Sequence, residues 1–142
     1  MPYRVPRPAI LEAAGRILDR EVEEHSPEPV SAVAARACEQ IYGHLTKFLG
    51  EYGVRALFDR SLLLVASAHP WLACAAAAKA ESPWPPLRAC LQEHEASARE
   101  GSIALIATFI SLCVTLFGEG IALRFLSQLW PGVFDPGAKE AK

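Results

Sequence analysis

The chain has 142 residues, 51% of them hydrophobic and 21% charged, with a formal net charge of −2. That length suits one domain with a buried core, and the composition excludes a disordered or low-complexity protein. The near-neutral balance excludes a global basic field for holding nucleic acid.

Ala and Leu supply 41 of the 142 residues. Both are strong helix formers, because they bury no polar group and lose little rotamer freedom. No stretch longer than a few residues alternates apolar with polar in the manner of a half-buried strand. The fold class is therefore all-α, a single-domain bundle of five or six helices.

Residues 1–7 carry two prolines and two arginines before any periodic pattern, which predicts an extended arm. A first helix begins at Pro8, with Ile10, Leu11, Ala14, Ile17 and Leu18 at three- and four-residue spacing, and ends near His25. Ser26–Pro27 offers an N-cap followed by proline for the second helix, with Val30, Ala34, Ala37, Ile41, Leu45 and Phe48 along its apolar line. Gly50 and Gly53 interrupt that pattern. A third helix resumes at Val54 and stops at His69–Pro70, because the residue before proline is pushed out of the α region.

A short helix from Trp71 to Lys79 follows, then a loop over Ser82–Pro86 and another short helix at Leu87–Glu93. A long helix spans 100–117 and a last one runs from Gly120 to Trp130, stopped by Pro131–Gly132. The bundle domain is thus 8–131, and 132–142 reads as a flexible tail.

The long helix is apolar nearly all round, which places it at the centre of the bundle. Ile106, Phe109, Ile110 and Cys113 are expected to be buried. Gly101, Ala104, Thr108, Ser111, Thr115 and Gly118 form a stripe of small residues along it, suited to close approach of a neighbouring helix or of a second copy. Its uncharged run sits at the lower limit of spanning length. Glu100 and Glu119 bracket the run, and no basic cluster or aromatic belt anchors it. A buried core helix is the preferred reading, with a membrane-associated protein as a further alternative.

Phe48-Leu49-Gly50-Glu51 recurs in type as Leu116-Phe117-Gly118-Glu119. Each block closes one helix, opens another and is followed by an arginine, Arg55 or Arg124. The repeat suggests two pseudo-symmetric helical hairpins and a polar cluster of Glu51, Arg55, Glu119 and Arg124. Glu119 is the only charge between Gly101 and Leu123, so apolar surroundings are expected for it.

Little else carries chemistry. The length suits a globin, but no histidine sits in a haem-binding context. Cys38, Cys74, Cys90 and Cys113 are scattered singly, with no Cys-x-x-Cys pair. They read as free thiols in a reducing cytoplasm. Cys90 and His94 share a helical face, but no second pair completes a metal site. No glycine-rich phosphate loop and no nucleophile–base signature is present, so neither cofactor nor catalytic residues are assigned. Trp71, Trp84 and Trp130 lie near helix ends, as plugs of the core or as the lining of an apolar pocket. The expectation is a non-enzymatic interaction module working through protein partners or self-association. The alternative is a helical sensor binding an apolar small molecule between helices.

Overall fold

The computed structural model describes residues 5–78 and 81–133. These form six α-helices and one 3-10 turn, with no strand among them, so the chain is an all-α bundle as its composition requires.

Helix α1 (Pro8–Glu24) starts on a proline, whose missing N–H is no loss in a first turn. Its buried face is Ile10, Ala13, Ala14, Ile17, Leu18 and Glu21. Helix α2 (Val30–Ala68) begins later than the Ser26–Pro27 cap that the sequence suggests. One of its N-terminal N–H groups is served across the fold instead. The Ser31 N–H donates to Glu95 Oε2 at 3.0 Å, so a carboxylate from another helix occupies the positive end of α2. Arg36 adds a two-point bond to Glu28 in the segment before the helix. That bond holds the Glu28 carboxyl below the usual range.

The chain bends within α2 at Gly50 alone, while Gly53 stays helical. Gly50 has φ 81° and ψ 162°, a region essentially confined to glycine. Gly118, between α5 (Glu95–Phe117) and α6 (Glu119–Leu129), has φ 89° and ψ 154°. The two members of the short sequence repeat therefore make the same backbone corner. No atom lies within 4 Å of a Cβ built at either glycine, so conformation rather than crowding requires them.

A 3-10 turn (Pro70–Leu72) and a short α3 (Ala73–Ala77) follow α2. The helix expected to reach Lys79 stops earlier: Ala78 is extended and Lys79 lies outside the described residues. Helix α4 (Trp84–Glu93) begins inside the stretch expected to be a loop. Pro85 and Pro86 sit in its first turn, where N–H groups have no intrahelical partner in any case. The proline run therefore starts a helix rather than preventing one.

Helix α5 packs against α1, α2, α4 and α6 and is the centre of the bundle. Ile106, Phe109, Ile110 and Cys113 are all buried on it. Its length and mean hydropathy of 1.9 would suffice to cross a membrane, and 56% of that apolar window is buried inside the bundle. The small-residue stripe changes character along the helix. Gly101, Ala104 and Thr108 are buried, Ser111 is half-buried, and Thr115 and Gly118 are exposed. At Gly101 the close neighbour is the Trp71 ring: a Cβ there would lie 2.4 Å from Trp71 Cζ2.

After α6, residues 131–133 turn back onto α1. Arg16 donates through Nε and Nη2 to the Val133 carbonyl at 3.1 and 2.7 Å, and Arg20 reaches the Pro131 carbonyl at 2.9 Å. Val133, expected in the tail, is fully buried and belongs to the core. Two arginines from the first helix hold it there. Residues 134–142 of the expected tail, and 1–4 of the expected arm, lie outside the described residues. Of the rest of the arm, Pro6 is buried while Val5 and Arg7 are exposed.

Candidate functional site

The helix ends that lead into the two glycine corners meet in one aromatic group. Phe125 of α6 stacks on Phe48 at a ring-centroid distance of 4.2 Å and meets Phe117 edge-on at 6.2 Å. His44 joins the same aromatic group and places Nε2 2.8 Å from Gln128 Oε1. Around the corners, Phe48 is 53% exposed, Tyr52 94%, Leu116 61% and Ile121 50%. Each of these four sits within three positions of Gly50 or Gly118 in sequence. A helix that ends in a sharp corner cannot carry its neighbours over its last turn, so the apolar side chains there face solvent.

Of the four charged residues singled out from the repeat, Glu51, Arg55 and Glu119 each have a different partner, and none pairs with another of the four. Glu51 accepts a hydrogen bond from the Tyr42 hydroxyl at 2.8 Å. Burial and this carboxylate push the Tyr42 phenol up to about 12. Arg55 pairs with Asp59 one turn on, at 3.0 Å, and donates to the Glu81 carbonyl at 2.8 Å. Glu119 faces Arg7 at 3.7 Å across the corner, and its side chain is 59% exposed. The apolar surroundings expected for Glu119 are not what it meets. It follows the turn at Gly118 at the exposed end of α5, where Thr115 and Leu116 already face solvent. Arg124 is exposed on α6.

The three tryptophans lie apart. Trp84 packs in the core on Tyr42 and Phe58, at 5.1 and 5.0 Å. Trp71 stacks on His94 at 5.0 Å and covers Gly101. Trp130 is buried and donates from Nε1 to Glu21 Oε2 at 2.9 Å. An open groove is lined by Arg55, Asp59, Leu63, Ala76, Ala77, Ala78 and Glu81, and none of the tryptophans reaches it.

Two features were missed by sequence reasoning. The first is Glu21, a buried carboxylate joining α1, α2 and the turn after α6. It accepts from Trp130 and from Gln40 Nε2 at 3.1 Å, with His25 Nδ1 at 3.8 Å. The signal was present: position 21 continues the 10, 14, 17 line of the buried face, on which an acid needs partners. The second is the meeting of Cys74 with Cys90, for which no local spacing gives a signal.

His94 Nδ1 lies 3.0 Å from the Cys90 carbonyl, so this ring nitrogen is engaged with the backbone of its own helix. Among the described residues, no three His, Cys, Asp or Glu side chains are placed to hold a metal ion together. No protein-family model, no curated protein and no solved structure matches this chain.

Proposed function

We propose that this protein is a non-enzymatic helical interaction module, acting in a reducing cytoplasm through a protein partner or a second copy of itself. The observation that carries the reading is that Phe48, Tyr52, Leu116 and Ile121, large apolar side chains flanking the Gly50 and Gly118 corners, are all exposed. Scattered single apolar residues are ordinary on a protein surface, whereas a group of them marks a place of contact. The corners are held by backbone conformation and by the Phe48–Phe125–Phe117 aromatic group, so the face is preformed. The four free thiols accord with a reducing compartment.

The test is native mass spectrometry of the tagged chain purified from its own host, beside a Tyr52→Ser, Ile121→Ser double variant. Both side chains are exposed, so the variant keeps its core. The parent is expected to carry a stoichiometric partner or a second copy that the variant loses. A parent that is a lone monomer, or a variant that keeps the same companion, overturns the reading.

A further inference from the structure

Cys74 lies on α3 and Cys90 on α4, two helices that pack together. The 3-10 turn before α3 aims the Trp71 carbonyl between them. Cys90 Sγ donates to that oxygen at 3.1 Å and Cys74 Sγ at 3.5 Å. Sharing that one acceptor makes the two sulfurs close neighbours. Their surroundings differ. Cys74 is exposed, whereas Cys90 is 2% exposed, behind it. Burial first, and then the neighbouring Cys74 thiol, push Cys90 up to about 12. Cys38 and Cys113 are also buried, and burial alone pushes each up to about 12.

We infer that Cys74 and Cys90 are a redox-active thiol pair that closes to an intramolecular disulfide when the protein meets a hydroperoxide. The exposed Cys74 sulfur, as thiolate, attacks the terminal oxygen of the hydroperoxide. An S–O bond forms and the O–O bond breaks. The leaving oxygen takes the proton given up by the thiol and departs as an alcohol, or as water if the oxidant is hydrogen peroxide. Cys74 is then a sulfenic acid. The Cys90 sulfur attacks the Cys74 sulfur, the S–S bond forms, and the S–O bond breaks. The hydroxide leaves with the Cys90 proton as water. Two thiols and one hydroperoxide thus give one disulfide, one alcohol and one water; the sulfurs supply both electrons. Two equivalents of a small thiol reverse the change by exchange, leaving as their own disulfide.

The division of labour follows burial: oxidant reaches Cys74, and Cys90 is positioned to meet only the sulfur in front of it. Closure withdraws both S–H donors from the Trp71 carbonyl, directly behind the ring seated on Gly101 of the central helix. Transient, redox-responsive disulfides of this type are compatible with a reducing compartment.

The experiment exposes the full-length chain to a small excess of hydrogen peroxide, quenches it, blocks remaining thiols and maps the peptides by mass. The expected result is loss of two of the four thiols and a crosslink joining the Cys74 and Cys90 peptides, reversed by dithiothreitol. Cys90→Ser should leave Cys74 as a sulfenic acid trapped by dimedone. Cys74→Ser, at an exposed position, should leave Cys90 unoxidised. Four intact thiols after oxidation, a disulfide between two chains through Cys74, or Cys74 overoxidised beside a free Cys90 would each overturn the inference.

Discussion

Replacing a helical glycine by alanine ordinarily stabilises a protein, because it removes unfolded-state freedom and improves helix propensity, together about 1 kcal/mol. Gly43 of α2 is such a site: it is exposed, and a Cβ there meets nothing within 4 Å. Gly101 is not. Its added Cβ would lie 2.4 Å from Trp71 Cζ2 and 2.7 Å from Cη2. Carbon atoms rest at about 3.5–4.0 Å, so the ring must retreat by roughly 1 Å. It has little room to do so. His94 is stacked on the ring, and the Trp71 backbone is engaged by two thiols. Overpacking of this type costs about 1–3 kcal/mol. Set against the propensity gain, Gly101→Ala should be destabilising by about 0–2 kcal/mol, and should fall below Gly43→Ala by about 1–3 kcal/mol. Urea unfolding followed by far-ultraviolet circular dichroism measures both variants, with m as the check that only the midpoint moves. A Gly101→Ala protein as stabilised as Gly43→Ala would refute the seating of Trp71 on α5.

Gly118→Ala should destabilise by about 1–3 kcal/mol in the same assay, because φ 89° with ψ 154° is closed to a side chain; a neutral result would mean that the corner is not held. Trp130→Phe keeps a ring and deletes the Nε1 donor to the buried Glu21, which should cost about 1–3 kcal/mol. Adding Glu21→Leu to it should cost less than the sum of the two single changes, and strict additivity would refute the bond. The raised Tyr42 phenol keeps its proton in the fold above pH 10, where the unfolded chain releases it. Stability should therefore be level below pH 10.0 and fall as pH rises toward about 12. Glu51→Gln, by removing the repelling charge, should bring the phenol titration seen in the near ultraviolet back down; an unmoved titration would contradict the Tyr42–Glu51 contact.

What the sequence made legible was governed by local rules. Ala and Leu content and the lack of alternation were enough for the class, and the apolar circumference of α5 was enough for its central place. The repeated Gly-Glu corners could be read because left-handed backbone demands glycine. The errors arose where a distant residue decides. The N-terminus of α2 is served by Glu95 from α5 rather than by the nearby Ser26. Pro85 and Pro86 suit a first turn as well as a loop, and only the packing of Leu87 and Leu91 into the core selects the helix. Glu119 was judged by its apolar neighbours in sequence, yet it follows the turn at Gly118 and faces Arg7. Cys74 and Cys90 are brought together by the packing of α3 on α4, so no spacing rule could pair them. Arg16 and Arg20, on the polar side of α1, gave no hint that they hold carbonyls of the last turn.

That last arrangement has a consequence for the order in which the fold can be completed. Glu21 is buried early in the chain, and its Trp130 donor stands 109 residues further on. Arg16 waits 117 residues for the Val133 carbonyl. During synthesis from the N-terminus, α1 emerges with a carboxylate on its apolar face and no indole to meet it. Sequestering that face before Trp130 is available would leave Glu21 Oε2 without its indole donor, with Gln40 serving the other oxygen. An unmet polar atom is costly in a low-dielectric interior. The chain is thus biased against docking α1 prematurely, and the closing of the bundle is deferred to the point at which its last turn exists.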